Sequence, residues 1–288
     1  MRGVLAFVVA SGLGLAAAPA APISIVAAEN FYGDVAEQLG GGTVEVASIL
    51  TNPDQDPHLF EANASTARAI AGAGIVIFNG ADYDPWMVKL LSASPAAGRE
   101  VIEVATLVHS RAGDDPHLWY DPGTMPVLAR ALAAALVKRD PARRAAYEAR
   151  LAGFEASLAP LNDAIARLRL AYAGTPVTAT EPVFGYMAAA LGLEMRNRRF
   201  QLAIMNNTEP GAAEIAAFQN DLRTRAVKAL LYNVQTSAAL TERMKALAQL
   251  SGVPVVGVSE TEPAGTTYQA WMLSELAALE RALSGKPP

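Results

Sequence analysis

Ile23-Ser24-Ile25-Val26-Ala27-Ala28, Val44 to Leu50 and Ile75-Val76-Ile77-Phe78 are short apolar runs separated by stretches of helical spacing, Phe31 to Leu39 and Ala62 to Ala71. Strands that read as near-continuous apolar runs are buried on both faces, and their alternation with helices predicts a parallel sheet covered on each side. The same grammar resumes at Pro176-Val177-Thr178-Ala179-Thr180, Ala229-Leu230-Leu231-Tyr232 and Val253 to Val258. Two α/β lobes with parallel sheets follow. Between them, Asp140-Pro141 opens a run to about Tyr172 that mixes charge with alanine and leucine, closed by Gly174-Thr175-Pro176. The expectation is one long, rigid linking helix over 140–173, with an N-terminal lobe over 21–139 and a C-terminal lobe over 174–288. Gly153 and Pro160 leave open two helices folded back within one lobe, because proline must kink or interrupt a helix.

The chain has 288 residues, 52% hydrophobic and 18% charged, enough for two packed cores. With 23 Lys+Arg against 28 Asp+Glu the formal net charge is −5, and no basic block offers a footprint for nucleic acid. Met1-Arg2, the apolar run Val4 to Leu15 and then Ala18-Pro19-Ala20 have the order of a signal peptide over 1–20, with a mature chain starting near Ala21. That run is shorter than the roughly 20 residues a spanning helix needs. There is no cysteine, hence no disulfide, no thiolate ligand and no residue to carry a lipid anchor. A free periplasmic protein is expected.

Two of the three histidines sit in a repeated frame, Asp56-Pro57-His58-Leu59-Phe60 and Asp115-Pro116-His117-Leu118-Trp119. Proline stiffens each loop, and each aspartate is near enough to orient an imidazole, the usual support of a metal-bound histidine. Metal ligation is favoured over loop capping because the frame recurs. His109 lacks the frame and reads as an exposed loop residue.

Glu181, in Thr180-Glu181-Pro182, follows a strand and precedes a helix, at the carboxyl edge of the sheet where open α/β folds bind ligands. Glu209, in Thr208-Glu209-Pro210, follows no comparable strand and is assigned to a helix start. After Val258 come Ser259-Glu260-Thr261-Glu262-Pro263. Glu260 stands at the strand end. Glu262, before Pro263, has a sufficient role at the following helix start and is the alternative.

At these residues the chain resembles the zinc/manganese substrate-binding proteins of metal ABC transporters, the TroA-like family, over essentially the whole mature length. The resemblance implies two α/β lobes joined by a rigid helix, with one divalent metal held in the cleft by two side chains from each lobe. It places His58 and His117 as the N-lobe ligands and Glu181 as the first C-lobe ligand, a glutamate in many manganese-type members and a histidine in many zinc-type ones. The last ligand of the family is usually an aspartate, and here Glu260 stands in its place. The histidine-rich loop of many zinc-type members is absent.

The function expected is capture of Mn2+ or Zn2+, with Fe2+ also compatible, by a monomeric receptor and delivery to a membrane ABC permease. A metallohydrolase is the rival, since two histidines with carboxylates could activate water, but no HExxH pair and no G-x-S-x-G elbow is found. An adhesin on the same scaffold is the third reading. Two imidazoles with two carboxylates suit manganese or iron(II), while the Irving–Williams order predicts tighter binding of zinc in vitro.

Overall fold

The computed structural model describes residues 21–236 and 238–285. The signal-peptide expectation falls on residues 1–20, outside the described residues.

Eight strands form two four-stranded sheets. The first contains β1 (Ile23–Glu29), β2 (Val44–Leu50), β3 (Ile75–Phe78) and β4 (Glu100–Glu103) in the order β2-β1-β3-β4. The second contains β5 (Pro176–Ala179), β6 (Glu194–Arg196), β7 (Leu230–Asn233) and β8 (Val255–Val258) in the order β6-β5-β7-β8. Every pairing is parallel, with Ile25 opposite both Val46 and Ile75, and Leu231 opposite both Ala179 and Val256. The two lobes therefore share one topology. In each the chain reverses its direction of winding beside the first strand, between β1 and β3 and between β5 and β7, and such switch points open the ligand crevice of α/β sheets.

The central runs became strands because both their faces are buried, while the edge strand β2 is half exposed. Along β1, Ile25 and Ala27 enter one core while Val26 and Ala28 enter another. The edge strands β4 and β6 were not foreseen: Glu-Val-Ile-Glu and Glu-Met-Arg carry charged ends and are half exposed, so they present no apolar run.

The largest core is continuous between the lobes, from Ile25 and Ile77 through Trp119, Tyr120 and Phe184 to Val258 and Leu279. Phe31 packs on Trp119 with ring centroids 4.6 Å apart, and Tyr120 touches both Phe184 (5.2 Å) and Trp271 (5.9 Å). The lobes are thus joined by a shared apolar core rather than built on two independent ones. Polar contacts reinforce the seam: Asn30 Nδ2 donates to the Glu262 carbonyl, and the Tyr268 hydroxyl to the Trp119 carbonyl.

The linking segment is helical over Arg144–Ser157 and Ala159–Tyr172, interrupted only at Leu158, which keeps right-handed helical dihedrals. Pro160 is the cause, since it has no N–H to give the Ala156 carbonyl and its ring crowds that position. The chain compensates with a tight turn in which the Leu158 N–H reaches the Glu155 carbonyl. The C-terminal helix Tyr268–Ser284 lies against the second of these helices, and Arg167 pairs with Glu280 across them. Among the described residues no helix is long and apolar enough to cross a membrane.

Candidate metal centre

Beyond β2 the chain enters a proline-stiffened loop whose single 3-10 turn, Pro57–Leu59, is capped by Asp56: its Oδ1 accepts from the His58 backbone N–H at 2.9 Å. The second frame begins alike, with Asp115 Oδ1 accepting from the His117 N–H at 3.2 Å. There the two part. Asp115 Oδ1 also takes the proton of the His117 ring Nδ1 at 2.6 Å, which aims Nε2 into the cleft, whereas no bond joins Asp56 to the His58 ring. Trp119 backs the His117 imidazole edge-on, 5.4 Å between centroids.

From the other lobe, Glu260 lies two residues past the end of β8, where the backbone bends. Its Oε2 stands 3.4 Å from His58 Nε2 and 3.4 Å from His117 Nε2. One ligand atom of each of these three residues lies within 4.8 Å of those of the other two. Neither Nε2 completes a hydrogen bond although both are buried, a costly arrangement unless something else takes the lone pairs.

Glu181 is buried at the tip of β5 but stands outside this triad. Its Oε2 accepts from Asn233 Nδ2 (2.5 Å) and Thr236 Oγ1 (2.8 Å), and Asn233 Nδ2 also reaches Glu260 Oε1 at 2.7 Å. Asn233 therefore connects Glu181 to the triad. A cleft of about 190 Å³ lined by Asp56, His58, Glu181, Met205 and Thr236 opens the centre to solvent.

Glu262 departs from its expected role. The helix it was to serve begins at Tyr268 with Thr267 as its cap, so Glu262 is remote from that N-terminus. It is buried instead at the lobe seam, its backbone N–H donating to Asn30 Oδ1 and its Oε2 unpartnered. Burial, with Asp34 and Glu37 nearby, pushes its carboxyl up to about 9. Glu209 also misses its assigned helix, which starts at Ala212 behind Gly211.

Electrostatically the centre is a proton trap. Burial would raise the Glu260 carboxyl, but the imidazoles of His117 and His58 overcome it and hold Glu260 well below the carboxylate range. Burial likewise opposes charge on His117, yet the bond to Asp115 and the proximity of Glu260 lift it to about 10. His58 is raised as well: burial works against its charge and Glu260 prevails. Burial and the charge of Glu260 push Glu181 up. Two imidazoles and a carboxylate around one point, with protons standing where a cation's charge would go, are suited to exchange those protons for a metal.

Sequence reasoning missed four supporting residues, Tyr83, Asp84, Asn233 and Gln235. Tyr83 donates to Glu260 Oε2 at 3.0 Å from a turn in which Gly80, Ala81 and Asp82 are all left-handed. Gly80 is required there, since a Cβ would meet Glu103 Oε1 at 2.6 Å. Asp84 pins the turn by accepting from the Asn79 and Gly80 N–H groups at 2.7 and 2.8 Å. Asn233 closes β7 at the same switch point as Glu181, so the rule that singled out Glu181 applies to it equally. Gln235 accepts the Glu260 N–H on Oε1 and donates from Nε2 to the Gln55 carbonyl at 2.8 Å, across the cleft.

Two lobes of matching topology with a histidine-carboxylate cluster between them define a class of two-lobe metal-binding receptors. The family model of the zinc-uptake complex component A, periplasmic, matches residues 25–282, and the chain belongs to that family. A putative metal-binding protein of Thermotoga maritima is 25% identical over 173 residues, spanning 60% of this chain and 62% of that protein. The manganese ABC transporter substrate-binding lipoprotein PsaA of Streptococcus anginosus is 22% identical over 284 residues, 91% of this chain and 89% of its own. The structure of the periplasmic zinc binding protein TroA from Treponema pallidum superposes with a TM-score of 0.77 at 20% identity, covering 91% of this chain and 99% of that one.

Proposed function

We propose that the protein is the extracytoplasmic substrate-binding component of a metal ABC transporter, which captures one divalent transition metal between its lobes and hands it to a membrane permease. His58 Nε2, His117 Nε2 and one oxygen each of Glu260 and Glu181 are the ligands. The carrying observation is that two buried imidazole nitrogens from one lobe, neither completing a hydrogen bond, converge to 3.4 Å on a buried carboxylate from the other. Zinc and manganese are the cargo candidates, the metals named for the relatives above, and the mixed imidazole-carboxylate set accepts either. The protein acts as a monomer in the periplasm and binds rather than turns over, since the carboxylates that face the imidazoles serve as ligands themselves.

The test is metal analysis of purified protein loaded with Zn2+ or Mn2+. One ion per chain is expected, lost in the double variant His58→Ala, His117→Ala; stoichiometric metal retained by that variant overturns the assignment.

A further inference from the structure

Asn233 is almost wholly buried and faces both C-lobe carboxylates at once. Its Oδ1 accepts the Gln235 backbone N–H at 3.1 Å, which fixes the amide and leaves Nδ2 aimed at the carboxylates. That nitrogen carries two hydrogens. One reaches Glu181 Oε2 at 2.5 Å and the other Glu260 Oε1 at 2.7 Å, with Thr236 Oγ1 alongside at 3.0 Å.

A carboxylate oxygen has about two acceptor sites, so the count of lone pairs is informative. Glu181 Oε2 is filled, by Asn233 and by the Thr236 hydroxyl. Glu260 Oε1 is held by Asn233, while Glu260 Oε2 is the atom 3.4 Å from both imidazole nitrogens. Glu181 thus keeps Oε2 tied, and Glu260 keeps Oε1 tied while its Oε2, which also accepts from the Tyr83 hydroxyl at 3.0 Å, faces the two imidazoles. Hydrogen bonds to an ionised oxygen in a buried setting are strong, so a cation would have to break one to recruit Glu181 Oε2 and would have to share Glu260 Oε1 with the Asn233 donor.

We propose that Asn233, assisted by Thr236, is a specificity-determining residue: by tying one oxygen of each carboxylate it restricts Glu181 and Glu260 to single-oxygen donation, and so favours zinc over manganese. Two imidazole nitrogens and two single oxygens make four donors, the number zinc prefers. Manganese favours six donors and oxygen-rich sets, and needs the second carboxylate oxygens or added water. The inference rests on the cargo-site reading above and adds to it a residue that touches no metal.

The experiment is competition titration of Zn2+ alone and Mn2+ alone against wild type, Asn233→Ala and Thr236→Val, with X-ray absorption of the zinc-loaded proteins. The ratio of the manganese Kd to the zinc Kd is expected to fall at least tenfold in Asn233→Ala and about threefold in Thr236→Val. The zinc coordination number should rise above that of wild type. A purely structural role weakens both metals together, so an unchanged ratio and coordination number overturn the proposal while leaving the receptor reading intact. Should Asn233→Ala fail to fold, the Thr236→Val ratio decides alone, and no shift there refutes it. A wild type that binds neither metal stoichiometrically defeats the cargo reading, and this proposal with it.

Discussion

Asp115 Oδ1 accepts the Nδ1 proton of His117 at 2.6 Å, while its counterpart Asp56 makes no hydrogen bond to the His58 ring and caps a turn instead. The repeated pentapeptide therefore encodes one backbone device used twice and an imidazole-orienting device used once. Fixing the tautomer through the far ring nitrogen keeps Nε2 free for a cation and raises its basicity.

Asp115→Ala should therefore weaken metal binding by about 10- to 100-fold, the usual scale for removing such a partner. Asp56→Ala, which loses only a backbone cap, should cost less in affinity and act through loop order. Titration of both variants with Zn2+ checks the ranking, and equal losses would show that the aspartates do the same job.

Glu260→Ala should lower affinity at least tenfold, or about 1.4 kcal/mol. Glu262→Ala should leave it nearly unchanged, because the backbone bends at Glu260 and Thr261 and turns the two carboxylates to different surroundings. On a regular strand they would share a face. Manganese titration separates them, and a larger loss at Glu262 would transfer the ligand role to it.

How far these features were legible depends on the range of the interactions behind them. The runs at 23–28 and 75–78 announced strands because burial on both faces leaves a local apolar signature, and the half-exposed edge strand at 44–50 was legible from its β-branched residues. The role of Glu262 was hidden, because the helix start expected at Pro263 lies at Tyr268 and the seam with Asn30 joins residues 232 apart in sequence. The difference between Asp56 and Asp115 was equally invisible, since identical neighbours on either side of each histidine say nothing about which way a ring turns. Asn233, by contrast, occupied a readable position at a strand end and was overlooked because it is neither an imidazole nor a carboxylate.

Metal removal should lower the melting temperature while preserving one cooperative transition, because the core running from Ile25 to Leu279 unites the lobes without the ion. At free metal a thousandfold above Kd, linkage contributes about 4 kcal/mol. Calorimetry of metal-free and loaded protein tests this, and two separated transitions in the metal-free protein would contradict a shared core.

Metal affinity should climb with pH through neutrality. A cation binds only the neutral imidazole, so a bound proton competes with it. In the metal-free protein His117 is lifted to about 10 and His58 is raised above its usual value, which leaves both charged near pH 6. Each ion must then expel about two protons, and the apparent association constant should rise by up to about two decades per pH unit there. The slope should flatten to about one decade once His58 has titrated, and vanish beyond about pH 10, where His117 is neutral too. The metal-free fold responds in the opposite sense. A histidine whose folded pKa exceeds its unfolded one contributes stability that is complete below about 6.5 and is lost as pH rises toward the folded value. Calorimetric titration of Zn2+ in buffers of different ionisation enthalpy counts the protons directly. Release of close to two per ion at pH 6 is the expected result; release of none would mean that the imidazoles are already neutral before the ion binds and that Glu260 does not hold them charged.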